Sequence, residues 1–167
     1  NEFAGSLHAS LHKWGSLTER QLTAVHGAIA RAQIAKTKAE NAPSVSLEPV
    51  EVAFRKAQDA GIARPKLRLG EFTFSPAPAN GKNPNAIYVK GADGTYLGKV
   101  AGGRLFTVAS VSPAVEQDIV AVASDPLNSA IAYGKRYGKC SVCARTLTDE
   151  DSINRGIGPV CAERFGW

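Results

Sequence analysis

The stretch Pro65-Lys66-Leu67-Arg68-Leu69-Gly70-Glu71-Phe72-Thr73-Phe74 alternates apolar and polar side chains with a period of two. That is the period of a strand with one face buried. Leu67 and Leu69 alternate with Lys66 and Arg68. Phe72 and Phe74 resume in the opposite phase, and the slip at Gly70 reads as a β-bulge. Downstream, Ser75 to Asn85 is a loop of Pro, Asn, Gly and Lys. Ile87-Tyr88-Val89-Lys90 and Tyr96-Leu97-Gly98-Lys99-Val100 flank Asp93-Gly94, a good hairpin signal. Gly102-Gly103 turns the chain again into Leu105-Phe106-Thr107-Val108. The expectation is a small antiparallel meander.

Outward from the meander the period becomes helical. Before it, Phe3, Leu7, Leu11 and Trp14 form one stripe, ended by Gly15. Ser16 and Glu19 have the spacing of a capping box. Leu22, Val25, Ile29 and Ala32 continue a second, longer helix. Residues 1–40 thus read as a helical hairpin arm, and residues 41–46 (Asn-Ala-Pro-Ser-Val-Ser) as a linker. A third helix follows, with Ser46 as cap, Val50, Phe54 and Ala57 as apolar face, and Gly61 as stop. After the meander, Ser112-Pro113 and Asp125-Pro126 each open a helix. Val115, Ile119 and Val122 face the core in the first, Leu127 and Ile131 in the second. The fold class is α+β: an N-terminal helical hairpin, a small antiparallel meander with flanking helices over 41–132, and a C-terminal zinc knuckle over 133–167.

The chain has 167 residues, 44% hydrophobic and 21% charged, with a net charge of +5. That composition fills a globular core and excludes a disordered or fibrous chain. No apolar run reaches the length of a membrane span, and no stretch has the pattern of a secretory signal. Because the chain opens on Asn1, an initiator Met is expected to be missing from the numbering.

Three cysteines, Cys140, Cys143 and Cys161, all fall near the C-terminal end. An odd count confined to one end is a poor disulfide framework, so a reducing cytoplasm is the expected setting. The spacing is C-x2-C-x17-C. Two intervening residues let one tight knuckle aim two thiolates at one ion, and the third arrives from a separate element. Gly156, Gly158 and Pro159 bend the chain before Cys161. Arg164 stands where a treble-clef finger would place its fourth ligand, so that ligand comes from elsewhere. Asp149, Asp151, the C-terminal carboxylate, a histidine of the arm or a water are the candidates. One structural zinc is expected, contributing on the order of 10 kcal/mol to ordering the tail. An iron–sulfur cluster ordinarily needs four cysteines. Three buried thiols, or one reactive cysteine, is the plain alternative.

The string CSVCARTLTDEDSINRGIGPVCAERFGW resembles a cysteine motif of uncharacterised bacteriophage and actinobacterial proteins, roughly CxxCGRxLTDPxSIxxGIGPxC. The similarity extends more loosely to YVKGADGTYLGKV and GSLTERQ. Two positions depart from the motif: Ala144 where Gly is common, and Glu150 where Pro is common. The resemblance implies a phage-encoded zinc finger acting in DNA or RNA transactions, and supplies no activity.

Charge is unevenly placed. Residues 61–105 hold seven cations, Arg64, Lys66, Arg68, Lys82, Lys90, Lys99 and Arg104, against two carboxylates, Glu71 and Asp93. Tyr88 shares a strand face with Lys90, and Tyr96 lies on the paired strand. Cations beside aromatics can hold phosphate and stack bases; the plain alternative is a solvated strand face with core tyrosines. Arg145, Arg155 and Arg164 add charge beside the knuckle. His8 and His12 share a helix face without any metalloprotease pattern, and no phosphate-binding loop or hydrolase arrangement is present. The leading expectation is a non-catalytic nucleic-acid-binding protein. The alternative is a protein-interaction module that binds and modulates a host enzyme through the arm, with an enzyme third. No membrane partner and no small-molecule substrate is expected.

Overall fold

The computed structural model describes residues 2–40 and 46–167; the expected linker at 41–46 lies, but for Ser46, outside the described residues. The chain divides into two compact units, Asn1–Asn41 and Ala42–Trp167.

The first unit holds α1 (Glu2–Trp14) and α2 (Glu19–Glu40). The capping box of α2 falls two residues later than expected. The Thr18 backbone N–H donates to Gln21 Oε1 (2.9 Å), and Gln21 N–H donates to Thr18 Oγ1 (3.3 Å). Both expected partners, Ser16 and Glu19, give way to the pair Thr18 and Gln21, because α2 starts at Glu19 and Thr18 is the residue just before it. Gln21 Nε2 also donates to Ser10 Oγ (3.1 Å), tying the two helices of the unit together. The apolar stripe stays open to solvent: Leu11, Leu22, Ile29 and Ile34 are exposed and Trp14 is 71% exposed.

The second unit is built on a five-stranded antiparallel sheet in the order β1-β2-β3-β4-β5. The strands are β1 (Leu67–Leu69), β2 (Phe72–Pro76), β3 (Ile87–Lys90), β4 (Tyr96–Ala101) and β5 (Arg104–Thr107). The expected bulge at Gly70 is a hairpin turn instead: Leu69 pairs with Phe72 and Leu67 with Phe74. Gly70 takes φ +57° in the first turn position, as a two-residue hairpin loop with glycine leading requires. The change of phase that looked like a slip within one strand is the reversal between two. A true register shift lies between Val89 and Lys90.

Five helices belong to this unit: α3 (Glu48–Asp59), α4 (Pro113–Ser124), α5 (Pro126–Tyr137), α6 (Glu150–Arg155) and α7 (Pro159–Phe165). One sheet face buries Leu67, Leu69, Phe74, Ile87, Val89 and Val100 into a core with Val50 and Phe54 of α3, Ile119 of α4 and Phe165 of α7. Phe54 meets Phe165 edge to face at 6.0 Å. Leu47, rather than Ser46, occupies the cap position of α3, although Ser46 Oγ still accepts from Glu48 N–H (3.3 Å). Ser112 and Asp125 cap α4 and α5 as their Ser-Pro and Asp-Pro pairs predict. The core stripe of α5 differs from the expected one. Pro126, Ala130 and Gly134 are buried while Leu127 is exposed. Small residues win this face because α5 lies directly on α6 and β1. A Cβ at Gly134 would land on the backbone of Gly156, far inside 3.0 Å.

Candidate metal centre

The cysteine segment begins where α5 ends. Gly138 (φ +62°) stops that helix, and its N–H returns to Gly134 O. Lys139 and Thr146 then pair as an antiparallel bridge. Cys140 N–H donates to Arg145 O (2.9 Å) and Ala144 N–H to Cys140 O (2.9 Å), closing a tight knuckle. Ala144 adopts φ +62°, the left-handed region that disfavours a Cβ. Asp149 caps α6, its Oδ2 accepting from Ser152 N–H (3.0 Å) and Oγ (3.2 Å). Gly156 ends α6, Gly158 caps α7, and Cys161 follows on the first turn of α7.

These elements bring Cys140, Cys143 and Cys161 together, with all three sulfurs within 4.8 Å of one another. A tetrahedral ion with metal–sulfur bonds of about 2.3 Å sets its thiolates about 3.8 Å apart. The site fits a metal ion after a contraction of about 1 Å or less. Among the described residues of the second unit no aspartate or glutamate joins the three within that distance. The sequence candidate Asp149 nevertheless lines the same open cleft of about 220 Å³, as does Arg145.

Cys140 is 1% exposed. Its thiol is held down to about 4, first by a hydrogen bond from Cys161 and then by the amides of Cys143, Gly158 and Val142, against the opposing effect of burial. Cys161 is pushed up, because it is the donor to Cys140 and then because it is buried. The amides of Cys143, Gly158 and Val142 favour the Cys140 sulfur as an anion. That is the state in which a thiol ligates.

The knuckle is fastened to the sheet. Arg68 N–H donates to Ser141 O (2.9 Å), extending the edge of β1. Arg68 Nη1 donates to Val142 O (2.9 Å) and Ser141 O (3.3 Å). Arg68 therefore braces the knuckle, a role its place among the basic residues did not suggest. The other basic residues are exposed or half-buried. Arg64 and Lys66 line a groove of about 600 Å³ beside Pro76 and Pro78. Arg145, Arg155 and Arg164 are exposed around the cysteine segment, and Lys82 is exposed in the β2–β3 loop.

Tyr88, Lys90, Tyr96, Lys99 and Arg104 lie on the sheet face opposite the core. Tyr88 pairs with Lys99 and Lys90 with Tyr96, so rings and cations alternate across β3 and β4. Tyr88 and Tyr96 meet edge to face at 5.4 Å, and desolvation followed by Tyr88 pushes the Tyr96 phenol up. Phe106 joins this face opposite Lys99, and Lys99 Nζ lies 5.9 Å from its ring centroid. Asn83 accepts a hydrogen bond from Lys99 Nζ and donates to Tyr88 OH (3.4 Å). Phe106 and Asn83 escaped the sequence reading. A two-residue loop at Gly102-Gly103 fixes the pairing of 99 with 106, so Phe106 was countable; nothing in the sequence marked Asn83.

Fold and cysteine geometry define an α+β protein with a C-terminal three-cysteine knuckle able to hold a metal ion. Residues 130–166 match a family of unknown function, DUF6011. The matched stretch runs from Ala130 through the knuckle and α6 to the end of α7, and leaves the sheet and arm outside it. No curated protein and no solved structure matches the chain. No helix among the described residues is long and apolar enough to cross a membrane.

Proposed function

We propose that the protein is a non-catalytic nucleic-acid-binding protein of the phage type, its C-terminal segment ordered by one structural zinc ion, working in a reducing cytoplasm. The observation that carries the nucleic-acid reading is the sheet face on which Tyr88, Tyr96 and Phe106 alternate with Lys90 and Lys99. Its rings suit bases and its cations suit phosphates. Zinc is the metal that three thiolates at this spacing favour, and three cysteines are one short of an ordinary iron–sulfur set.

Two measurements test the reading. Elemental analysis of protein purified without chelator should give one zinc per chain; under about half an equivalent, with all three thiols freely titratable, removes the metal from the account. Binding to a 30-nucleotide strand should weaken with salt. If about four phosphates are neutralised, the slope of log affinity against log salt is about −3. Absence of binding at low salt and micromolar protein overturns the nucleic-acid reading.

A second reading has its own support. Leu11, Trp14, Leu22, Ile29 and Ile34 leave the arm with an uncovered apolar surface, of the kind a protein partner covers. In that reading the arm docks on a host protein and the sheet face is incidental. A stable stoichiometric complex with a host protein, lost on replacing Trp14 and Leu11, would favour it.

A further inference from the structure

One row crosses the outward face of the sheet. Ser75 pairs with Tyr88, Tyr88 with Lys99, and Lys99 with Phe106. Tyr88 and Phe106 therefore stand two strand spacings apart, about 9.6 Å, with Lys99 between them. In the neighbouring row Thr73 pairs with Lys90 and Lys90 with Tyr96. Tyr88 is half-buried and has the Tyr96 ring against it. Tyr96 (39%) and Phe106 (42%) are the exposed rings of this face.

Charge and shape select what such a face accepts. Each exposed ring has a lysine as its cross-strand neighbour, so the aromatics do not merge into one apolar patch. A protein partner's hydrophobic core would strand those ammonium groups without water or a counter-charge. A duplex would meet the lysines with its phosphates but could not offer the faces of its bases. An unpaired strand offers both, bases to the rings and phosphates to the cations. Asp93 keeps its negative charge at the β3–β4 turn, where it accepts from Thr95 N–H (2.9 Å) and Thr95 Oγ1 (2.6 Å), and Lys90 and Lys99 on the face outnumber it.

Building on the nucleic-acid reading above, we propose that this face is a stacking platform for single-stranded nucleic acid. Tyr96 and Phe106 each take one unpaired base, and Lys99 and Lys90 take the phosphates beside them. Tyr88 and Asn83 are positioning residues: Tyr88 supports the Tyr96 ring, and Asn83 holds both the Tyr88 hydroxyl and the Lys99 ammonium. DNA and RNA strands share this chemistry.

The test is fluorescence anisotropy with a labelled 30-nucleotide DNA strand, the RNA of the same sequence, and the DNA duplex, each across a salt series. The strands should bind more tightly than the duplex. Phe106→Ala and Tyr96→Ala should each weaken strand binding by about 5- to 50-fold with the salt slope unchanged. Phe106→Trp should restore affinity. Both sites are exposed, and circular dichroism of each variant checks that the fold is kept. If strands bind with the expected slope yet both alanine variants bind like the parent, or the duplex binds as tightly as the strands, the stacking platform is wrong while backbone binding stands. If neither strand nor duplex binds at low salt, the platform and the nucleic-acid reading fall together.

Discussion

Replacing Gly134 by alanine should destabilise the body of the protein, against the usual rule for a glycine inside a helix. In an exposed helix interior that change gains about 1 kcal/mol. Here the new Cβ would overlap the carbonyl oxygen, carbonyl carbon and Cα of Gly156 together. Relief requires α5 and α6 to separate by about 1 Å or more, since backbone cannot turn aside as a side-chain tip can. Gly156 has little freedom to yield, because it sits at φ +69° and itself lies against the Ile131 backbone. Overpacking of this kind costs about 1–3 kcal/mol and occasionally more, and a backbone–backbone clash belongs at the upper end. The expected net loss is about 2–3 kcal/mol, which for a domain of this size lowers the melting midpoint by about 10 °C. The displacement also runs through Ile157 to Gly158, whose amide donates to the Cys140 sulfur. Metal affinity should therefore fall with stability. Urea and thermal denaturation, with cobalt titration as a spectroscopic readout of the cysteine site, measure both. Gly5→Ala is the control, since a Cβ there meets nothing within 4 Å. A Gly134→Ala protein as stable as the parent, or more so, refutes the reasoning.

Ala144→Gly should stabilise the protein by about 1 kcal/mol, because residue 144 sits at φ +62° and an L side chain there costs about 1–2 kcal/mol; chemical denaturation reads the gain, and a loss would contradict it. Asp93 should titrate below the ordinary aspartate range, through its side-chain and backbone hydrogen bonds with Thr95. Its folded value is the depressed one, so the contribution to the β3–β4 turn is present above about pH 3.9 and is lost as acid protonates the folded carboxyl. Carbon-detected NMR titration should show the low midpoint, and Thr95→Val should move it up. A chain lacking residues 1–41 should keep the folded, metal-binding body, as the division into two compact units suggests; an unfolded circular dichroism spectrum would show the arm to be part of the core.

The α+β class and the meander were legible because period-two runs, Asp-Gly and Gly-Gly punctuate residues 67–107 so clearly. The caps before Pro113 and Pro126 were legible for the same reason, a side-chain acceptor followed by a residue with no amide to lose. What failed was phase. At Gly70 a turn and a bulge both invert the alternation, and only the pairing of Leu67 with Phe74 tells them apart. In α5 the larger Leu127 looked like core, but burial went to Pro126, Ala130 and Gly134, because close helix contact selects small residues over apolar ones. The cysteine spacing put the three thiols together correctly, whereas the amides that aim at Cys140 depend on a fold of the backbone that spacing does not encode. The two departures from the resembling motif acquire physical sense. Position 144 is left-handed, where Gly is favoured. Position 150 is the first residue of α6, where Pro is favoured.

The knuckle and the outward face of the sheet serve different ends of one structure. An open strand edge presents unpaired backbone groups and invites pairing with another chain. Here Arg68 N–H at the β1 edge is satisfied by Ser141 O, and the Arg68 side chain locks the next carbonyl. The turn after β1 is held as well, with Tyr137 OH donating to Glu71 Oε1 (2.5 Å) and Arg136 pairing with it at 3.5 Å. The knuckle is thus a cap on the sheet. Burial adds to its anchorage, since Cys140, Val142 and Leu147 belong to the same core as the strands. The rings of the proposed platform lie on β3, β4 and β5, at least two strand spacings from β1. A metal at the cysteines has no direct part in stacking at that distance. Under the proposed function, a metal there would act on binding through the order of the sheet, as a structural ion does.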